Sequence, residues 1–503
     1  MNFNTLSGSA KLHKKLEVYA TGQITASGEV PNIAILCAVD RFENQKLVDC
    51  IATGVKNQGG IVTAVNVPAF GYFNKINPMT AKFASSFIRT SASSAEAIIK
   101  CGLYDGIVIV ADCDVTTAGL LQGAAKANCP ALVMSIGICF GAAKAIDNYK
   151  IQGKITSGQV HAEEGETLIE DAKTFRGSPH TFNSNSTFFI LMEAMGFSVP
   201  SAGISRIDSP PLLRNAIATG EQICESAKSI LAPKKFLTHE NLYNAIAICL
   251  SIGGDINAIA LLENLVRMYE PKTPHTTISE VCGKVSLLLA PEDQNTGYIQ
   301  QIGGIWGILK QLSGIPKLID DDAFVYTGDK LKNFLADIEA TQLEEISKST
   351  KTLLVKGTAC ENGGYVQTML ETPASISGKA WVYESLEEAD KALVAGSIPD
   401  NSVIVVHNCV DTCVSTLAYT IEGMEKQSCI AIVTDGLCDK SSVLSVTRCT
   451  PNTFANEAFA NIQTGDQLDI DLGRGRINTS ISAKDLKHRA KKNSTKKQVV
   501  YFQ

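Results

Sequence analysis

Apolar runs rich in β-branched residues alternate with helical stretches between residues 32 and 133, which is typical of a parallel α/β sheet. Strands are predicted over residues 32–39, 59–70, 105–114 and 130–141. Helices are predicted over residues 44–58, 91–101 and 116–128. In doubly wound sheets of this kind, ligands bind beyond the carboxyl ends of the strands. The loop after each strand is therefore the first place to search for a functional site.

Two of these strand ends carry side chains that could bind a ligand or take part in a reaction. Asp112, Cys113 and Asp114 end one predicted strand, and Cys139 lies at the end of the next. Carboxylates and thiols at this edge of a parallel sheet are placed where a ligand or metal would bind. We therefore take them as candidate site residues.

The pattern changes twice further along the chain. Residues 177–347 are predicted to be mainly helical, and from residue 348 short strands follow one another, separated by turn signals, with one helix over residues 386–395. We therefore predict an α/β protein. An N-terminal parallel-sheet α/β/α domain with helical insertions covers residues 1–347, and a β-barrel-like C-terminal domain with a basic tail covers residues 348–503.

Composition narrows the function classes. With 503 residues, 45% hydrophobic and 19% charged, the chain is too long and too apolar for a mini-protein or a disordered segment. A net charge of −6 argues against nucleic acid and anionic membranes as partners, and no apolar run is long enough to span a bilayer. The 15 scattered cysteines and a polar N-terminus without a signal-peptide pattern predict reduced thiols and a cytoplasmic location.

Several ordered segments between residues 32 and 491 resemble the dihydroxy-acid and phosphogluconate (sugar-acid) dehydratases. They include ADCDVTTAGLLQGAAKANCPALV, MEAMGFSVPSAG, IDSPPLLRNAIATGEQI, IGGDINAIALL, GGIWGILKQL, LLVKGTACENGGYV and GDQLDIDLGRGRI. The resemblance implies a hydro-lyase that converts a hydroxy acid or sugar acid into a 2-keto acid, and it also implies a homodimer. In this family three cysteines hold an iron–sulfur cluster, Mg²⁺ binds the substrate, and a serine after an Asp-Gly turn removes the C2 proton.

Only some of the family's cluster-binding and metal-binding residues have a counterpart in this sequence. Cys113 matches the second cluster cysteine and Asp114 matches the adjacent metal-binding aspartate. Val115 replaces the lysine that the family carbamylates, and valine cannot bind magnesium. The first cluster cysteine falls near Asp40 and the third near Pro179.

Three further positions differ from the family pattern. Residues 65–79, VNVPAFGYFNKINPM, replace the family's Asp-Gly-Ile metal loop and contain no acid. Asn408 begins the segment that stands for the Glu-Gly-Pro metal ligand, and Asp439 aligns with the serine base. The resemblance therefore predicts that the iron–sulfur cluster and Mg²⁺ are not bound in the family manner.

The main interpretation is a family hydro-lyase with a degenerate or remodelled active site. If the fold holds, one set of side chains would gather at the cavity and suit zinc or a rebuilt iron–sulfur cluster: Cys113, Cys139, Cys409, Cys413, Cys438, His180 and His407. Asp439 would then replace the serine as general base.

Two alternatives stay open from the sequence. The chain could be a catalytically silent homologue that keeps the scaffold for a structural, regulatory or ligand-binding role. It could also run a different reaction in the same cavity with Cys113 or Cys438 as nucleophile, since a thiol near a helix N-terminus can have a lowered pKa.

Overall fold

A computed structural model of the chain describes residues 30–39, 44–139, 144–171, 177–271, 277–290, 294–340, 342–347, 352–449 and 458–494, and residues 8, 9, 12 and 16. The described residues do not include Asp40, residues 140–141 or the last residues of the basic tail. Every helix in the described ranges is too short or too polar to traverse a lipid bilayer.

The chain divides into two compact units, and the division does not follow chain order. Unit 1 contains residues 1–72, 86–142 and 175–350. Unit 2 contains residues 73–85, 143–174 and 351–503. Two early segments of the chain therefore pack with the C-terminal strands.

Unit 1 is built on a four-stranded sheet whose order is β2-β1-β3-β4 and whose pairs are all parallel. The strands are β1 (Asn32–Ala38), β2 (Ile61–Asn66), β3 (Gly106–Ala111) and β4 (Ala131–Ser135). β1, β3 and β4 are buried along their whole length, as expected of a sheet covered by helices. The predicted parallel α/β sheet is confirmed. The fourth predicted strand is split, because a two-residue strand, β5 (Ile138–Cys139), follows β4 and pairs with β6 (Ser178–Pro179).

The helices of unit 1 cover the sheet and form the helical region that follows it. They span Gln45–Asn57, Ala84–Cys101, Asp114–Ala127, Ser184–Ala194, Pro210–Lys228, His239–Ser251, Asn257–Val266, Thr277–Cys282, Thr296–Gln301, Gly304–Ser313 and Leu331–Phe334. The first and fifth of these pack closely through glycines: a Cβ at Gly54 would lie 2.0 Å from Ile217 O, and one at Gly220 would lie 2.1 Å from Ile51 O. Only glycine allows the two backbones to approach so near.

Unit 2 contains an eight-stranded, nearly closed sheet in the order β12-β11-β10-β9-β13-β14-β7-β8. The strands are β7 (Thr352–Gly357), β8 (Cys360–Gln367), β9 (Ser375–Tyr383), β10 (Ser402–Val406), β11 (Ile430–Thr434), β12 (Ser445–Val446), β13 (Gln467–Asp471) and β14 (Arg476–Thr479). Tyr365 and Thr447 exchange two backbone hydrogen bonds of 2.9 Å and so join the two ends of the strand order. The predicted barrel-like C-terminal domain is confirmed.

Unit 2 contains more helices than the sequence pattern after residue 348 predicts. Its helices span Lys144–Thr156, Ala162–Asp171, Leu386–Val394, Ser415–Gly423 and Ala483–Ser494. The prediction of one helix over residues 386–395 misses Ser415–Gly423. Nearly every residue of that helix is buried, so it lacks the polar face from which an amphipathic pattern is recognised.

Candidate functional site

The loop after β3 runs directly into a buried helix. Cys113 is the N-cap residue, and Asp114 is the first residue of the helix Asp114–Ala127. Oδ1 of Asp114 accepts the Val115 backbone N–H at 2.8 Å and the Cys113 thiol at 3.7 Å. Asp114 thus caps its own helix, where the helix dipole favours a negative charge.

A single amide side chain ties this loop to the neighbouring elements. Asn185 Oδ1 accepts the Asp114 backbone N–H at 2.8 Å. Asn185 Nδ2 donates to Asp112 O at 2.8 Å and to Ser178 Oγ at 2.9 Å. Because Asn185, Cys113 and Asp114 are all fully buried, these neutral hydrogen bonds hold the loop in one conformation.

The third cluster position lies beside a candidate cysteine. Pro179 is the Cα partner of Cys139 in the β5–β6 pair. Ser178, one residue earlier, accepts a hydrogen bond from Asn185. The position that the resemblance assigns to the third cluster cysteine therefore carries an imino acid without a thiol, and an amide contacts the residue before it.

Burial raises the pKa of Asp112 to about 6. Burial also lowers the pKa of His180, which disfavours the imidazolium form. Both groups are therefore closer to neutral at physiological pH than exposed side chains of the same type would be.

The residues at this strand end do not fit the family's iron–sulfur cluster. Of the three positions that the resemblance assigns to the cluster, only one carries a cysteine, and the Cys113 thiol is a hydrogen-bond donor to Asp114. Among the residues that the structure describes, no three His, Cys, Asp or Glu side chains are grouped so that they could hold one metal ion. The rebuilt zinc or iron–sulfur site therefore finds no ligand set in the described part of the chain.

The remaining candidates come from two adjacent loops of unit 2, which follow the parallel strands β10 and β11. Val414 N donates to Leu437 O at 2.7 Å, and Leu437 N donates to Thr412 O at 2.9 Å. A Cβ at Gly436 would lie 2.6 Å from Cys409 O, so a glycine is needed where the loops touch. The topology therefore brings Cys409, Cys413, Cys438 and Asp439 together, as parallel strand ends should.

Asp439, which aligns with the serine base, is 2% exposed. Its backbone N–H donates to Ser415 Oγ at 2.6 Å, and its Oδ2 accepts the Tyr419 hydroxyl at 3.4 Å. Ser415 Oγ is also hydrogen-bonded to Cys413 Sγ at 2.8 Å. The carboxylate is therefore held by the helix Ser415–Gly423, which begins directly after the first loop.

Two thiols of these loops are poor nucleophiles. Burial raises the pKa of Cys409 to about 12, with the Asp435 carboxylate adding to the shift. Burial raises the pKa of Cys413 to about 12 as well, and Asp439 contributes to the increase. A neutral thiol does not attack an electrophile well. The third thiol, that of Cys438, donates to Ser445 Oγ at 3.7 Å.

The remaining predicted site residues, His407 and Asn408, have local partners. His407 Nε2 lies 3.1 Å from Phe459 O, and its Nδ1 lies 3.6 Å from Glu384 Oε1. Asn408 Nδ2 donates to Glu384 Oε2 at 2.9 Å. Both side chains directly follow β10, and both therefore contact Glu384, which directly follows β9.

Sequence reasoning missed three residues that shape these regions: Asn185, Tyr419 and Lys75. Asn185 lies in SNSTFF, the polar start of an otherwise apolar helix. This polar start comes soon after Pro179, the predicted third cluster position, and could have identified Asn185 from the sequence. Lys75 is the one charged residue of the segment GYFNKINPM, and it is 1% exposed. A single charged residue in an apolar, aromatic segment indicates that the charge is buried, which is rare for lysine.

Comparison with known proteins places the chain in a family. Models of the N-terminal and C-terminal domains of dihydroxy-acid/6-phosphogluconate dehydratase match residues 31–334 and 340–503. A dihydroxy-acid dehydratase of Caldanaerobacter subterraneus subsp. tengcongensis is 25% identical over 88% of this chain and 84% of its own length. One from Pyrococcus abyssi is 25% identical over 89% of this chain and 86% of its own length. Since the two models together cover almost the whole sequence, the chain belongs to the dihydroxy-acid/6-phosphogluconate dehydratase family.

Proposed function

We propose that this chain is a hydro-lyase with a remodelled site, which removes water from a small hydroxy acid or sugar acid to give a 2-keto acid. The observation that carries the proposal is the buried carboxylate of Asp439, hydrogen-bonded to Tyr419, at the position that the resemblance assigns to the base. The family membership supports the substrate class and the reaction type.

Asp439 is the residue that we assign as general base. Removal of water from a hydroxy acid needs a base for the C2 proton, a positive group that stabilises the negative charge of the enolate, and an acid that protonates the departing C3 hydroxyl. Asp439 takes the C2 proton, Tyr419 donates its proton to the C3 hydroxyl, which leaves as water, and Asp439 returns a proton to the Tyr419 oxygen through the hydrogen bond between them. The enol that results tautomerises to the 2-keto acid, and Lys75 is a buried cation of the same unit. No step of this scheme runs through an iron–sulfur cluster or Mg²⁺.

The test is turnover by protein freed of metal. Purified protein treated with a chelator is incubated with a panel of dihydroxy acids and sugar acids, and 2-keto acid is measured as its phenylhydrazone. We expect keto-acid release that chelation does not reduce and that Asp439→Asn lowers by about 100-fold or more, the usual scale for loss of a general base. Asp469→Asn, an exposed carboxylate on β13, is the matched control. Release that requires reconstitution with iron, or no release from any acid of the panel, would contradict the proposal.

A catalytically silent, ligand-binding homologue is the second candidate, and the hydrogen bonds of Asn185 favour it. They fix the Cys113–Asp114 loop with neutral contacts where the family places its cluster. This candidate predicts that an acid of the same panel raises the melting temperature without being converted. Binding without turnover in the same samples separates it from the hydro-lyase.

We also propose that the chain forms a homodimer and is located in the cytoplasm. The family resemblance supports the dimer, and the number of cysteines, none of which is disulfide-bonded, supports a reducing compartment. Light scattering after gel filtration should give twice the chain mass of 53.7 kDa. A mass equal to one chain would contradict the dimer.

A further inference from the structure

The helix Ser415–Gly423 contacts the loop after β11 along one of its faces. Ser415 Oγ accepts the Asp439 N–H at 2.6 Å, and the Tyr419 hydroxyl donates to the Asp439 carboxylate at 3.4 Å. Residues four positions apart lie on the same side of a helix, and so does the residue three positions further on. Glu422 therefore shares this face and presents another side chain to the same loop.

Glu422 binds the loop at a second point. Its Oε1 accepts the Ser442 N–H at 2.6 Å and the Ser442 hydroxyl at 2.7 Å. Hydrogen bonds to a carboxylate are about twice as strong as those between neutral groups, and Ser442 is buried. Only Lys440 and Ser441 lie between this point and Asp439. The same helix face thus fixes the loop just after the carboxylate that we assign as the base.

An earlier segment of the chain also contacts Glu422. Lys150 lies in the helix Lys144–Thr156, and its Nζ is 3.1 Å from Glu422 Oε2. The two helices pack with their backbones in contact, because a Cβ at Gly423 would lie 2.0 Å from Lys150 O. One oxygen of Glu422 therefore binds the loop, and the other binds the neighbouring helix of the same unit.

We propose that Glu422 is a positioning residue, which fixes the loop at Ser442 and so holds the Asp439 carboxylate in the orientation that proton removal needs. This inference rests on the proposed function, in which Asp439 is the base. A general base must lie within hydrogen-bond reach of the proton, so a displacement of about 1 Å lowers turnover strongly. Residues 143–174 thereby contribute to the site, because Lys150 helps to hold Glu422 in place.

Hydrogen exchange read by mass spectrometry tests whether Glu422 holds the loop. Glu422→Ala removes both hydrogen bonds to Ser442, so we expect the peptide containing this residue to exchange about 10-fold faster. Glu422→Gln keeps an acceptor oxygen and should retain most of the protection. Ser442→Ala, which loses only the hydroxyl contact, should give a smaller increase and remains informative if Glu422→Ala does not fold. Lys150→Met removes a partly exposed ion-pair partner and should have the smallest effect.

Exchange elsewhere in unit 2 separates a local contact from general stabilisation. The strand β13 should exchange at the wild-type rate in Glu422→Ala. Lys82 and Glu387 form an ion pair of 3.4 Å that also joins an early segment to a C-terminal helix, so Glu387→Ala is the matched control and should leave the loop unchanged. Equal acceleration in the loop and in β13, or no acceleration in the loop, would overturn the inference.

Turnover then tests the orientation of the base. If the wild type releases keto acid, Glu422→Ala should lower kcat by about 10-fold with KM nearly unchanged, and Glu422→Gln should restore most of kcat. A loosened loop with unchanged kcat would show that Glu422 does not position Asp439. Wild-type protein that releases no keto acid would overturn the proposed function and the catalytic role with it, whereas the exchange rates alone decide whether Glu422 holds the loop.

Discussion

The two units bury carboxyl groups in different ways. In unit 1, Glu193 is fully buried, its Oε2 accepts only the Ser201 N–H at 2.9 Å among the described contacts, and burial raises its pKa to about 8. In unit 2, Asp439 is 2% exposed and accepts the Tyr419 hydroxyl at 3.4 Å, and the same unit buries Lys75. Burial therefore favours the neutral form of the acid in unit 1, whereas unit 2 buries both an acidic and a basic side chain.

This difference concerns the loop around Cys113 in unit 1 and the loop around Asp439 in unit 2. The Cys113 loop is held by amide and backbone hydrogen bonds that any stable loop could use. The Asp439 loop holds a buried carboxyl group next to a tyrosine hydroxyl, and proton transfer requires groups of this kind. Under the proposed function, unit 2 therefore supplies the proton-transfer groups.

The largest expected effect concerns thiol reactivity, and it sharpens the contrast between the units. A pKa raised from 9.0 to about 12 leaves Cys409 and Cys413 almost without thiolate. At pH 8 we expect them to react with iodoacetamide about 1,000-fold more slowly than the exposed Cys101 of unit 1, as read by peptide mass spectrometry. If Cys113 or Cys438 reacts faster than Cys101, the cysteine-nucleophile interpretation is supported and the hydro-lyase scheme loses its basis.

The second effect tests neutralisation of the buried acid in unit 1. Because the folded pKa of Glu193 is about 8 and the unfolded value is near 4.5, the folded state keeps a proton that the unfolded state releases. This raised pKa makes the free energy of unfolding fall as pH rises from 4.5 to 8. Glu193→Gln removes the dependence, so relative to the wild type it should gain about 3.5 kcal/mol between pH 5 and pH 8 in urea titrations.

Asp439→Asn is the comparison variant for that titration. It should lose stability at every pH in the same range, because it changes a buried side chain that accepts the Tyr419 hydroxyl. A gain of stability by Asp439→Asn at pH 8 would show that unit 2 also neutralises its acid, and the contrast between the units would fail.

The third effect concerns the neutral hydrogen bonds of unit 1. Asn185→Ala removes three side-chain bonds and leaves buried partners on Asp112, Asp114 and Ser178, so we expect a loss of about 3 kcal/mol in unfolding free energy. Asn57→Ala, which removes one exposed bond to Glu221, should change it by about 0.5 kcal/mol or less. Equal losses would mean that Asn185 does not hold the loop.

The main elements of both units were predictable because their signals are local. Buried runs such as residues 32–38 and 402–406 are too apolar and too β-branched for another assignment, and glycine turns separate the barrel strands. The helix Ser415–Gly423 was missed because burial on all sides removes its periodicity. Local pattern also carries no information on which distant strands residues 73–85 and 143–174 pack against.

The candidate site was predictable only in part, for a related reason. Asp439 and Cys113 could be found because they align with chemical positions of a known family. Asn185 contacts residues 71 and 73 positions away in the chain, so the polar start of its helix could identify the residue but not its partners. Partners of this kind become visible only when the fold brings the segments together.

The smallest effect sets the scale for the buried charges of unit 2. Arg489, in the basic C-terminal helix, donates to both carboxylate oxygens of Asp466, at 2.5 and 3.1 Å, and to Asn461 O. Because the pair is partly exposed, Arg489→Lys, which loses the two-point geometry, should cost about 1 kcal/mol in unfolding free energy. Added salt should weaken this pair less than the ion pair of Lys426 and Asp400, whose side chains are 31% and 59% exposed, since screening acts on accessible charges. If salt weakens both pairs equally, the charges of Arg489 and Asp466 are as accessible to solvent as those of the exposed pair.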